Sequence, residues 1–303
     1  MRSLRRFVRE RSAVAGVVFV LILVVAAVVG PFLASTPPNL IDHALIGHPQ
    51  APSGGHWLGT DLIGRDEFVR ALYGARVSLL VGAAAMAVSF AVGIFYGAVA
   101  GAAGGVVDNV MMRFVDAMLS FPTFFLLLIV AALTSTFSLT IIILIIGLTS
   151  WPGLARLVRA EVLSLRERDF VEAARALGAT PVRLVLRHLI PNALAPVVVA
   201  AAFAIGDNIL AESSLSFFGL GVQPPAPSWG NMLQDALTPQ AEAAPWMVLV
   251  PGLAIVATVL AFSVIADGIR VALDTSIGQE GAAGTLDVEP APYAAASAGA
   301  VPG

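Results

Sequence analysis

Six apolar runs, at residues 13–33, 79–100, 114–133, 139–154, 193–212 and 246–266, dominate this 303-residue chain. Most are close to 20 residues long, the length a helix needs to cross a hydrocarbon layer about 30 Å thick. Lipid offers no partner for backbone N–H and C=O groups, so such runs must satisfy them internally as helices. The expected fold is an all-α integral membrane protein with six transmembrane helices. Composition agrees: 58% of residues are hydrophobic and 12% charged, against about 25% charged in soluble domains. The first run, Ala13–Leu33, exceeds the hydrophobic core of a secretory signal and reads as a retained span, although small residues do follow at Ala34-Ser35.

Charge orients the runs. All seventeen basic residues are arginine. Only Arg65, Arg70 and Arg76 fall in alternate connections; the other fourteen lie in the N-terminal segment 1–12, near 113, in the segment 156–192 or at Arg270. By the positive-inside rule, both termini and 156–192 are cytoplasmic, while 34–78 and 213–245 lie outside. The outer segment 34–78 should end in a short interfacial helix leading to the second span. Gly101–Arg113 reads as a short inner loop and Ser135–Ser138 as a tight outer turn. The tail 275–303, rich in Ala, Gly and Pro, reads as disordered. A membrane core then occupies 79–274. Within it, Gly82, Gly93 and Gly97 favour close helix packing, Phe121-Pro122 predicts a kink in the third span, and Trp151 reads as an aromatic anchor at the inner interface.

Several chemistries are excluded. Without cysteine there is no disulfide, thiol nucleophile or cysteine-ligated metal. Without lysine there is no phosphate-binding P-loop, so any ATP driving this protein binds another chain. His43, His48 and His56 lack acidic partners at ligand spacing and read as residues of a solvated loop. No convergent nucleophile and base, and no H-E-x-x-H, marks a membrane enzyme. Asp116 reads as an interfacial carboxylate. Asp207 and Glu212, in the fifth run, are candidates for a translocation pathway, because carboxylates within spans are costly.

The longest charged passage is Asp169–Pro191, DFVEAARALGATPVRLVLRHLIP. Asp169 stands at an N-cap with Glu172 at capping-box spacing. Phe170, Ala173, Ala174 and Leu177 share one helical face. Gly178 suits a left-handed helix end; Thr180-Pro181 opens a second helix with Val182, Val185, Leu186 and Leu189 as its apolar stripe and Arg183 and Arg187 turned away. Pro191 is expected to close the element. Physics alone leaves two readings open: a hairpin lying on the membrane surface, or a docking element.

Glu172-Ala173-Ala174, Gly178 and Ile190-Pro191 resemble the cytoplasmic EAA loop of ABC importer permeases, and Arg187-His188 with Pro191-Asn192 is similar to the peptide and nickel branch. His188 departs from the general family pattern, which is apolar there. Two outer strings carry the same resemblance. One is Gly59-Thr60-Asp61 with Gly64-Arg65-Asp66 and Tyr73–Ser78. The other is Leu215-Ser216-Phe217 with Gly219-Leu220-Gly221, Pro225, Pro227 and Trp229-Gly230. Physically, Gly59–Asp61 reads as a turn and N-cap. The resemblance covers roughly His56 to Asp274. It implies a type I importer permease, the shorter subunit of a heterodimer on two cytoplasmic ATPases, which would carry the ATP and Mg. It also implies an extracytoplasmic binding protein that delivers peptide, or in the alternative nickel, at a bacterial inner membrane. Asp169, Glu172, Ala173, Ala174, Leu177, Gly178, Pro181, Arg187 and Pro191 would be the ATPase-coupling set. No catalytic residue, bound cofactor, metal site or nucleic-acid partner is implied. The rival from another class, an ion-driven secondary transporter, would want midplane ionisable groups and paired broken helices. Spans one, two, four and six have no mid-span charge.

Overall fold

In a computed structural model, residues 2–34, 36–134, 138–238 and 243–273 are described. The expected turn at 135–138 lies almost wholly outside them, and the tail 275–303 entirely so. The helices are α1 (Arg2–Arg9), α2 (Arg11–Leu33), α3 (Glu67–Ala103), α4 (Gly105–Ser120), α5 (Thr123–Ala132), α6 (Leu139–Arg166), α7 (Asp169–Ala176), α8 (Pro181–Leu184), α9 (Ile190–Phe217), α10 (Trp229–Asp235) and α11 (Trp246–Leu273). Five continuous helices are long and apolar enough to cross a membrane, and a bent pair makes a sixth crossing if taken as one span. Among the described residues no strand forms, apart from one isolated bridge, Thr60 to Asp66.

The central element is α3, which packs against α2, α4, α6, α9, α10 and α11. It is 37 residues long, so the expected interfacial helix is not a separate piece. The chain enters helix at Glu67 and does not leave it until Ala103. Asp66 caps it, its carboxylate accepting from Val69 N–H at 3.0 Å. The expected inner loop 101–113 is likewise nearly all helix. The turn is made by Gly104 and Gly105, at φ +66° and +56°, a backbone region open chiefly to glycine. Arg166 Nη1 donates to Gly101 O at 2.7 Å and so closes the end of α3.

The third span differs more. Instead of a kink, Phe121-Pro122 separates α4 from α5 by 86°. Phe121 sits at φ −90°, ψ 135°, extended as a residue before proline prefers, and Pro122 has no N–H to carry the helix through. Trp151 is also not an interfacial anchor. It is 6% exposed, 4.6 Å from the Tyr96 ring and stacked on Phe114 at 6.3 Å.

The α3–α6 seam is built on glycines four residues apart. Gly93 lies against Leu154, Gly97 against the Ala155 carbonyl and Val158, and Gly101 against Val162. Helices in lipid associate by packing, and small residues let the backbones approach. A methyl group at 97 would collide with backbone, which cannot rotate away. Gly97→Ala is therefore expected to destabilise the protein by about 2 kcal/mol, the scale of overpacking, read as a lowered Tm in detergent; the open Gly153, with nothing within 4 Å, is the control.

Candidate functional site

Two regions gather the residues that sequence reasoning singled out. The first is the hairpin after α6. Gly178 has φ +82°, and its N–H donates to Arg175 O at 2.9 Å while Ala179 N–H reaches Ala174 O at 3.0 Å, so the α7 end is wrapped as expected. Thr180 caps α8 through Arg183 N–H, with Pro181 in the first turn. Three details are corrected. Arg168, not Asp169, occupies the N-cap position, without a side-chain cap. The buried contacts come from Val171, Leu184 and Leu189, which join Ala98, Val158, Val162 and Val197 in one apolar cluster, with Ala174 packed partly against it. Phe170, Leu177, Val182 and Leu186 instead face outward, at 41%, 89%, 68% and 63% exposure. Pro191 does not close the element: helix continues from Pro181 to Phe217.

That continuity has a local cause. Proline at 191 would clash with the Arg187 carbonyl and cannot bond to it. Residues Val185–Leu189 widen into a π turn, with Ile190 N–H reaching back to Val185 O, which relieves the clash, and Asn192 Nδ2 satisfies His188 O at 2.6 Å. Glu172, Ala173 and Arg187 are exposed. Glu172 rims a cleft of about 510 Å³ that includes Gly104, Asp108, Arg166, Glu167 and Arg175. Above it Asp108 takes both ends of the Arg159 guanidinium, and Asp116 pairs with Arg156 at 2.6 Å.

The second region is a cap at the start of α3, on the side that the arginine distribution leads one to expect outside. Asp61 does not cap a helix. Its Oδ1 accepts from Ile63 N–H at 3.0 Å and Arg65 N–H at 2.8 Å, so it holds a turn in which Gly64 crosses close to the Asp42 backbone. Gly59 packs on the Trp246 ring, whose Nε1 donates to Thr60 O at 3.0 Å. Asp66 Oδ2 meets His56 Nδ1 at 2.8 Å. Arg65, also bonded to Asp61, and Arg70 both donate to Asp235 Oδ2, at 2.6 and 2.7 Å. Glu67 and Arg70 are 1% and 3% exposed.

The two outer strings meet here. Glu212, fully buried, accepts from Ser78 Oγ and Ser216 Oγ, each at 2.7 Å. Ser216 Oγ in turn accepts from Val222 N–H, and Ser78 Oγ from Trp229 N–H. Trp229 is 1% exposed, donates to Ala71 O at 3.2 Å and packs on Gly74. Gly230 and Gly221 lie against Ser213 and Ser216, Gly219 turns at φ +74°, and Leu215 is buried while Phe217 meets Phe218 edge-on. A capping box between Ser228 and Asn231 starts α10. Glu212 thus faces the interior, whereas Asp207 is exposed and lines a groove between α3, α6 and α9. Sequence reasoning missed Asp235, Glu67 and Arg70 as members of this cap. Glu67 and Arg70 stand at helical spacing three apart, a signal that was there, but nothing local distinguishes Asp235 from Glu242, the other acid of the long segment 213–245. Among the described residues no group of three or more His, Cys, Asp or Glu could hold a metal ion.

Comparison with known proteins adds the following. Residues 93–279 match the profile of the binding-protein-dependent transport system inner membrane component family, and residues 1–52 that of the N-terminal TM domain of oligopeptide transport permease C. A relative in Brucella suis biovar 1 is 42% identical over 274 residues, 90% of each chain. The dipeptide transport system permease protein of Bacillus subtilis is 38% identical, covering 90% of this chain and 84% of its own. The oligopeptide transport system permease protein of Haemophilus influenzae is 39% identical, with 89% and 86% covered.

Proposed function

Since the chain belongs to the family of binding-protein-dependent transport system inner membrane components, we propose that it is one permease subunit of an ATP-driven peptide importer. Its relatives named for dipeptide and oligopeptide transport support the substrate class. It would pair with a second permease subunit, stand on two ATPases that bind ATP and Mg, and receive peptide from a binding protein outside. The arginine distribution supports placing the hairpin and both termini on the cytoplasmic side.

The observation that carries the coupling role is the hairpin's two-sidedness. Val171, Leu184 and Leu189 fix it to the transmembrane bundle, while Phe170, Leu177, Val182 and Leu186 leave an apolar face open to water. Clustered exposed apolar side chains mark a contact surface. An ATPase groove closing on that face would push a rigid element. Because helix runs unbroken from Pro181 to Phe217, the push would reach Asp207 and Glu212 without a hinge between, and the bundle would rock between inward- and outward-open arrangements. No proton transfer or nucleophile on this chain is required for that work.

The absence of cysteine makes the test direct. Leu177→Cys, in the full assembly with the second permease and both ATPases, is expected to crosslink to single cysteines in the ATPase groove in a nucleotide-dependent manner. The wild-type assembly should take up dipeptide with ATP and be stopped by vanadate. Peptide uptake driven by an ion gradient and indifferent to vanadate would overturn the reading, as would accumulation of nickel in place of peptide.

A further inference from the structure

Asp207 is an exposed carboxylate in α9, in the midst of an apolar helix. It has no hydrogen bond or ion pair among the described residues. It lines a groove of about 190 Å³ with Ser89, Ser150, Phe90, Leu154 and Ala204 among its walls, and no basic side chain lines it. The depth is shared. Asp207 lies ten residues before the end of α9 at Phe217, and Ser150 eleven after the start of α6 at Leu139. At 1.5 Å per residue these are about 15 and 17 Å from the outer ends of their helices, near the middle of a hydrocarbon layer about 30 Å thick.

The groove's polar atoms are of one kind. Ser89 Oγ donates its hydrogen to Met86 O at 3.0 Å and Ser150 Oγ to Ile146 O at 2.8 Å. With the hydroxyl protons committed to backbone, what remains on both oxygens is acceptor lone pairs. Two hydroxyl acceptors and a carboxylate, with no opposing donor, fit a cation carrying several N–H groups. Ionisable groups within spans face a water-filled path or a partner, and charge-assisted hydrogen bonds are the strong ones.

We propose that the Asp207 groove, with Ser89 and Ser150, holds the terminal α-ammonium group of the peptide at mid-membrane during translocation. The inference rests on the peptide-importer reading. The groove is small, roughly six water volumes at about 30 Å³ each, so it takes the amino end of a peptide and not its length. Side chains beyond that end stay in the wider path, and the site reads the one group that every free peptide shares.

The test is uptake of dialanine by the full importer in proteoliposomes, with saturating binding protein. Asp207→Asn should lower the maximal rate about tenfold to a hundredfold, the effect of losing a charge-assisted bond. The concentration of binding protein giving half-maximal rate and the yield of assembled complex should not change. Asp207→Glu should restore most of the rate. Labelling of Ser150→Cys, with Asp207 in place, by a cationic thiosulfonate should be faster than by an anionic one and slowed by transported peptide. A normal rate in Asp207→Asn would overturn the inference, as would loss of the second permease from the purified complex, which would show that Asp207 pairs with that subunit. A wild-type assembly that moves no peptide would instead overturn the importer reading itself.

Discussion

Arg70→Ala is expected to destabilise the protein by about 3–5 kcal/mol, the range for breaking a buried ion pair by removing one partner. Arg70 is 3% exposed, donates to Asp235 at 2.7 Å and stands 4.0 Å from Asp61. Without it the Asp61 and Asp235 carboxylates face Arg65 alone, and the Glu67 carboxyl loses a nearby guanidinium; Asp61 and Glu67 are each buried to 1% exposure. The cost falls on the junction that ties the start of α3 to α10, so thermal unfolding of purified protein should show a large fall in Tm. Asp235→Ala should cost clearly less, because Asp235 is 38% exposed and its loss leaves both arginines near Asp61. Equal stability of Arg70→Ala and wild type would mean the cap is held by Trp229 and the Glu212 hydroxyl network without the ion cluster.

Gly178→Val is expected to reduce ATP-driven uptake at least about tenfold while the protein still inserts and folds. The space beside Gly178 is open, with nothing within 4 Å of an added Cβ, so the effect is not a clash. The backbone holds φ at +82°, a region costing a β-branched residue on the order of 1–3 kcal/mol. The chain can escape that cost by unwrapping the end of α7 and turning the exposed Leu177 and Phe170 away from Val182 and Leu186. Gly178→Asn, tolerant of left-handed geometry, should keep most of the uptake. Leu177→Asp separates shape from contact: at 89% exposure it should leave Tm within about 0.5 kcal/mol in stability terms yet weaken copurification of the ATPase. Full uptake in both Gly178→Val and Leu177→Asp would sink the coupling role of the hairpin.

The apolar runs, the hairpin's turn at Gly178 and its second helix start at Thr180 were legible because their causes are local. A run of about 20 apolar residues has one solution in lipid, Gly178 suits a left-handed end wherever it is placed, and Thr180-Pro181 starts a helix through its own atoms. Hairpin burial was not legible. Periodicity shows that Phe170, Ala173, Ala174 and Leu177 share a face, but not whether the bundle or solvent meets it. The bundle in fact takes Val171, on another face. The same ambiguity applied to Phe121-Pro122, where a proline signals interruption and only the packing of α5 on α6 sets the angle at 86°.

By itself, then, the sequence determined what depends on near neighbours and on solvent: a membrane-embedded all-helical chain, the Gly178 turn, the helix start at Thr180-Pro181, and the excess of arginine in alternate connections. Tertiary structure alone decided which distant groups became partners. Ser78 and Glu212 are 134 residues apart, and Arg65 and Asp235 are 170 apart. No local pattern marks such pairs. They exist because the outer loop folds α10 back onto α3 and α9, and desolvation then leaves each buried polar group only the partners within its reach.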